Sequence, residues 1–304
     1  MKTKDDESQK KRDLDRMAFL IKDFDIVVLQ EVLVPYVVET SSFASKKASL
    51  TRRLGRNWQG KWVYKESARA NKVFLGLDRR HEGYAFLWNT QKVEMLEGKR
   101  DAFLTGRYRE IDNIPLRREP GYARFKLKNK PVEIRIINVH LISEKPDNQN
   151  IFPGIDLGNK QEMRTREFDI IAGQIYKTID DEKLQEGITV AHTIILGDYN
   201  LNLEGHGIDP ESMPQVCYYN SKGQRCYGGS LRMMTVQEEL TTIKKDGSGF
   251  RNNFDHCTFN ADRHGHVIGN YYRVPYLNDK TPEEIKEFRD TVSDHVPIVV
   301  ELHC

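Results

Sequence analysis

The chain has 304 residues, 38% of them hydrophobic and 30% charged, which is enough apolar material for a sizeable core. Its 47 basic and 45 acidic residues leave a formal net charge of +2, so a grip on nucleic acid through bulk charge is excluded and would need a local basic surface. No apolar run approaches the roughly 18 to 20 residues of a membrane span. The polar, charged segment 2–16 does not read as a secretory signal peptide. A cytoplasmic monomer without membrane contact is the expectation, with secretion if a leader precedes Met1. Four cysteines, Cys217, Cys226, Cys257 and Cys304, make no framework. Cys217 and Cys226 bracket a turn and offer either a small disulfide loop or two reduced thiols.

In chain order, residues 1–8 read as a flexible charged lead. Leu14, Met17, Ala18, Ile21 and Phe24 fall at helical spacing and predict an amphipathic helix over 9–23. The continuous apolar run in 25–31 predicts a strand buried on both faces, ending in Glu31. Residues 36–57 predict a basic helix carrying Lys46, Lys47, Arg52, Arg53 and Arg56. Strands are predicted at 61–67, 72–77, 83–89, 93–96, 122–127 and 131–139, the last two joined by a Lys128-Asn129-Lys130 turn. A loop over 144–160 leads to a helix over 160–179, with Met163, Ile170, Ile171, Ile175 and Ile179 on one side. A buried strand at 192–196 runs into Gly197-Asp198-Tyr199-Asn200.

Residues 204–250 read as an irregular insertion, too long for a plain connection. Its Tyr218, Tyr219, Lys222, Arg225, Tyr227 and Arg232 suit either a clamp on a nucleic-acid strand or a solvated loop. A strand at 254–259, a loop at 261–281, a helix at 282–290 and a strand at 296–302 complete the chain. Interleaved helices and strands with hairpins predict an α/β fold with mixed sheets.

Acidic and imidazole residues recur at predicted strand ends: Glu31, His140, Asp198, Asn200, Asp255, Asp294 and His295, with Glu82 just before a strand. Ends of neighbouring strands gather at one edge of such a fold. Carboxylates gathered there repel unless a cation sits among them, and oxygen ligands suit Mg²⁺, Mn²⁺ or Ca²⁺. Histidines beside acids suit proton transfer. Together these parts fit metal-assisted attack of water on phosphorus. Asp255 is preferred over His256 because alternation puts Asp255 and Cys257 on one face and His256 on the other. His256, Cys257, His264 and His266 raise zinc, but their spacing fits no usual structural zinc pattern.

The ordered segments LQE, a Glu before an aromatic strand, NVHL, GDYN, FDH and SDHVPI resemble the endonuclease/exonuclease/phosphatase superfamily. EGYAFLW at 82–88 and RREP at 117–120 resemble its DNase I-like branch. The resemblance runs from about residue 9 to the C-terminus. It implies one domain over 1–304, a four-layer α/β sandwich of two packed mixed β-sheets flanked by helices, and divalent-metal-dependent hydrolysis of phosphate esters. It also implies roles. Glu31 is the main metal ligand, with Asp294 completing the carboxylate cluster. His140 and His295 flank the scissile phosphate as general acid and base, paired with Glu82 and Asp255 respectively. Asp198 and Asn200 orient or activate water, hold phosphate oxygens and can serve a second metal. Arg118, Asn200 and Tyr84 contact substrate.

Two departures from the family pattern stand out. The family begins with a strand ending in an active-site Asn, whereas this chain opens with a charged lead and a helix. Leu33 stands where the branch has an arginine. Three functions are compatible with these features: a DNA endonuclease, with RNA as a further possible substrate; a phosphoesterase acting on a lipid or sugar phosphate; and a non-catalytic nucleic-acid-binding relative.

Overall fold

The computed structural model describes residues 12–32, 49–63, 83–97, 103–108, 114–141, 160–202, 216–220, 231–237 and 239–304. The predicted strand at 72–77, most of the loop at 144–160, Glu82, Leu33 and the Cys217–Cys226 pairing lie outside the described residues.

The described elements form the four-layer sandwich. One outer layer begins with α1 (Leu14–Ile21), whose Asp13 side chain accepts from the backbone N–H of Arg16 and caps the first turn. It continues with α2 (Leu50–Leu54). The predicted basic helix ends there, because Gly55 takes φ 102° and the chain turns into a strand. Beneath lies a three-stranded sheet in the order β1 (Ile26–Val32), β3 (Gly83–Asn89), β2 (Trp58–Val63). Ala85 and Leu87 of β3 face the helices, with Leu50, Ala18 and Ile21. Tyr84, Phe86 and Trp88, one residue out of phase, face inward.

The inward face packs on a seven-stranded sheet. Its order is β10 (Val216–Asn220), β11 (Leu231–Val236), β12 (Asp255–Asn260), β9 (Val190–Asp198), β8 (Val132–His140), β7 (Gly121–Leu127), β4 (Val93–Leu96). Phe125, Ile134, Ile136, Ile194, Cys257 and Phe259 fill the space between the sheets. On the far face, Ile137, Val139 and Ile195 pack under the fourth layer. That layer is α3 (Lys160–Asp169), which runs through a π-helical turn (Ile170–Ile175) into α4 (Tyr176–Asp180). Two short strands, β5 (Arg107–Tyr108) and β6 (Ile114–Pro115), pair with each other.

The insertion is less irregular than its composition predicts. β10 and β11 pair in parallel and extend the large sheet past β12. The predicted loop at 261–281 likewise holds α5 (Ala261–His264) and β13 (Ile268–Arg273). β13 pairs with the closing strand β14 (Ile298–Leu302), which α6 (Pro282–Thr291) precedes behind a Thr281–Glu284 capping box. Polar turn residues hid these short strands.

β1 is half-buried rather than buried on both faces. Among the described residues it pairs with β3 alone, and β14 pairs with β13 alone. A strand with one unpaired edge leaves its flank open, which accounts for the intermediate burial of both. β1 lies against β8 and β9, and β14 lies against β12. No helix among the described residues is long and apolar enough to cross a membrane.

One glycine is dictated by geometry. Gly197 has φ 141°, and a Cβ there would lie 2.0 Å from the carbonyl oxygen of Val139 on the neighbouring strand. Gly197→Ala therefore costs more than about 1 kcal/mol, read as a lower urea midpoint at unchanged slope. A wild-type midpoint in this variant would refute the packing described.

Candidate active site

Three neighbouring strands build the floor of the site by register alone. His140 ends β8 and stands beside Asp198, which ends β9 in parallel pairing. Asp198 in turn pairs with Asp255, the first residue of antiparallel β12. Alternation sends all three side chains to the face between the sheets, where Asn138, Ile194 and Cys257 also point. Two carboxylates and an imidazole thus stand about 4.8 Å apart by strand spacing alone.

Two further segments facing this floor each bring one more residue. His295 enters from the segment between α6 and β14. Backbone pairing with the 241–243 stretch fixes it, since Ile243 N–H donates to Asp294 and Val296 N–H to Thr241. Its Nδ1 is 2.7 Å from Asp255 Oδ2, and its Nε2 is 3.8 Å from Asp198 Oδ2. Glu31 arrives from β1 at a bulge between Leu29 and Val32. Its carboxylate lies 3.6 Å from His140 Nε2, which is itself 3.7 Å from Asp198 Oδ2. The Glu31 side chain is 60% exposed while His140 is 4% exposed, so Glu31 forms the rim and His140 the wall.

Backbone strain concentrates at the same place. Glu31 has φ 55° and Asn200 φ 49°. Asn visits this left-handed region readily, whereas Glu pays of order 1–3 kcal/mol. Asn200 is tied down by its amide, which donates to Leu141 O at 2.8 Å and Asp198 Oδ2 at 3.1 Å, and by its backbone N–H, which donates to Asp198 Oδ1 at 2.7 Å.

Electrostatics push the charged groups in one direction. Burial, and then the neighbouring Asp255 carboxylate, raise the Asp198 acid to about 6. His140, His295 and the Asn200 N–H oppose this without cancelling it. Burial disfavours charge on His295, but Asp255, Asp198 and Asp294 outweigh it and lift the imidazolium to about 10. At neutral pH His295 is protonated and ion-paired, while Asp198 is mostly ionised.

Several predicted residues are therefore brought together: Glu31, His140, Asp198, Asn200, Asp255 and His295. Two are not. Asp294 is half-exposed on the bend before His295 and lies 3.7 Å from Arg289, so it stands outside the Asp198–Asp255–His295 grouping. Tyr84 is a core residue, 5% exposed, packed on Gly121 and Phe103 between the sheets rather than facing substrate. The predicted Glu82–His140 pair lies outside the described residues. Arg118 is half-buried on the turn before β7, whose Gly121 pairs with Asn138, so it lies at the same end of the sheet as His140. His256 is a buried core histidine whose ring nitrogens meet the carbonyls of Leu201, Asn253 and Gln237.

Sequence reasoning missed the supports. Asn138 accepts from Gln30 Nε2 at 2.6 Å and donates to Leu29 O at 3.1 Å, joining the two sheets directly beneath the site. Its position two residues before His140, on the same face, was an available signal. Arg164 of α3 donates to Asn200 O at 2.8 Å and places its charge near Asp198. Nothing in the polar face of that helix pointed to it.

Asp198, Asp255 and His295 each offer an atom within 4.8 Å of the others, a grouping that can hold a metal ion. Two of the three are spent on the Asp255–His295 ion pair, and a protonated ring cannot ligate. The remaining oxygens, from Asp198 and rim Glu31, are hard donors that suit a divalent cation of the Mg²⁺ or Ca²⁺ type. The Asp198 acid is raised first by burial and then by the neighbouring Asp255 carboxylate, and a cation beside it would favour its charged form.

The fold and site together define a four-layer α/β protein with an acid–histidine cluster at the strand ends. Solved structures to which the chain is similar include an endonuclease/exonuclease/phosphatase family protein from Bacteroides thetaiotaomicron, 16% identical over 95% of this chain and 88% of that one, TM-score 0.48. A mannosyl-6-phosphatase from the same organism is 17% identical over 95% and 90%, TM-score 0.47. Truncated TDP2 from Caenorhabditis elegans is 12% identical over 96% and 90%, TM-score 0.49. No protein-family model and no curated protein sequence matches the chain.

The Asp255 contact makes a testable demand on His295. Asp255→Asn lowers the imidazole titration seen by NMR from about 10 towards its ordinary value. The linked stability is fully present below about pH 6.5 and is lost as pH rises through about 10, because the folded state holds the proton longer than the unfolded one. His295→Asn flattens that part of the stability–pH curve; an unchanged slope would contradict the ion pair.

Proposed function

We propose that this chain is a divalent-metal-dependent phosphodiesterase acting on DNA. The observation that carries the reading is the register that sets His140, Asp198 and Asp255 at three adjacent strand ends, with His295 and Glu31 facing them. The motif resemblance supplies the substrate class. Arg117 and Arg118, at the same end of the sheet, supply positive charge where a polyanion would lie.

The two strongly displaced groups divide the proton transfers. Asp198, with its acid near 6, accepts the proton of the attacking water as the new O–P bond forms. His295, protonated up to about 10, gives its proton to the leaving ester oxygen as the old P–O bond breaks. Asp255 orients the His295 ring through the 2.7 Å contact. His140 donates to a non-bridging phosphate oxygen, Asn200 orients Asp198 through its backbone N–H and side-chain amide, and Arg118 contacts a phosphate beside the cut. Glu31, with Asp198 in reach, would hold the cation, for which Mg²⁺ is the expected ion and Mn²⁺ or Ca²⁺ alternatives. When bound, such a cation offsets charge on the phosphoryl oxygens.

A plasmid-nicking assay tests this. Cleavage should require Mg²⁺ and stop with chelator. His140→Ala, His295→Ala and Asp198→Asn should each lower kcat by about 10²- to 10⁴-fold with the circular dichroism spectrum retained. Arg118→Ala should raise KM with kcat kept. Folded protein that nicks nothing with metal, or nicks equally well as His140→Ala, rejects the reading; turnover of a lipid or sugar phosphate in place of DNA moves it to that substrate class.

The rate should also follow a bell in pH. Its limbs lie near about 6, where Asp198 ionises, and near about 10, where His295 loses its proton. Asp255→Asn should draw the upper limb to lower pH and leave the lower limb in place or move it down.

A further inference from the structure

We infer that His192, His264 and His266 form a second metal site, for a zinc-type transition ion, at the end of the large sheet opposite the active site. His192 lies six residues before Asp198 on β9, about 20 Å along the strand. The site is independent of the phosphodiesterase reading.

The central observation is the pose of two buried imidazoles. His192 is 3% and His264 4% exposed, and their Nδ1 atoms face each other at 3.3 Å with ring planes at 87°. Two nitrogens bound to one tetrahedral zinc at about 2.0–2.1 Å lie about 3.3 Å apart. The spacing is therefore already that of two ligands of one ion. Without an ion, one Nδ1 must donate to the other.

The outer contacts fit as well. His264 Nε2 is 2.7 Å from Asp180 Oδ1, and Asp180 is itself held by Arg263 at 2.8 Å. A carboxylate on the far nitrogen fixes the tautomer that leaves Nδ1 bare, the usual support of a metal-bound histidine.

His266 provides the third ligand. It sits two residues past His264 on an exposed turn, its ring 6.0 Å from that of His192. Ligands of one tetrahedral ion need the rings slightly closer, about 5 Å by the same geometry, which a rotation of an exposed side chain supplies. Water takes the fourth position on the solvent side. Imidazole donors select zinc, cobalt, nickel or copper over Mg²⁺, so the two sites do not compete for one ion.

The test is a Co²⁺ titration of the full chain in excess Mg²⁺. One equivalent should give the visible bands of a tetrahedral site, bleached by Zn²⁺. His264→Gln should abolish them, His266→Ala should weaken binding at least tenfold, and Asp180→Asn should weaken it about 10- to 100-fold. Asp198→Asn should leave them intact. Zn²⁺ should raise the Tm of the wild type but not of His266→Ala, which as an exposed change keeps the fold even if His264→Gln does not. Absence of the bands, or bands unchanged in His266→Ala, overturns the proposal and leaves a hydrogen-bonded histidine pair.

Discussion

Two carboxylates placed opposite one another at the ends of adjacent strands are the constraint around which this molecule is arranged. Asp198 and Asp255 are paired by backbone register and cannot move apart without breaking the sheet. Both lie in a buried cleft, where unscreened like charges are costly. The structure answers with His295, brought 2.7 Å from Asp255 by the segment between α6 and β14. One carboxylate is thereby neutralised, and the other is left with a raised acid and room for a cation or a proton. A base and an acid emerge from two residues 3.8 Å apart because their surroundings displace them in the same direction from different starting values.

That answer depends on holding two sheets in fixed alignment. The Gln30–Asn138 and Asn138–Leu29 hydrogen bonds do this at the site itself, where β1 lies against β8 and β9. The alignment has local costs. Glu31 sits at positive φ in a bulge, and Gly197 is squeezed against Val139. Strain of this kind at a cluster of polar residues is what a site, rather than a packing surface, accumulates. β1 and β14 are half-buried, and among the described residues each has one ladder partner, β3 and β13 respectively.

The far end of the same strand obeys a similar logic with different chemistry. β9 carries Asp198 at one end and His192 at the other, both on the face between the sheets. At one end oxygens crowd together; at the other, nitrogens. A rigid strand can thus support two sites of opposite metal preference without either disturbing the other.

Much of the site was legible in the residues. Strand ends carrying Glu31, His140, Asp198, Asp255 and His295 could be read because β-strands alternate and end in recognisable turns. The choice of Asp255 over His256 followed from alternation alone, and the coordinates agree. Short strands β10, β11 and β13 were not legible, since short strands set in polar, glycine-rich segments lack a clean apolar pattern. Tyr84 and Asp294 went to the wrong places because the face a side chain takes depends on which sheet surface is buried, and that is decided by packing. The Asp198–Asp255 register, the reach of Glu31 from β1 and of His295 from the segment before β14, and the meeting of His192 with His264 over 72 positions were decided only in three dimensions. Local sequence sets where strands begin, end and face; which strand ends become neighbours is fixed by the burial of the whole core.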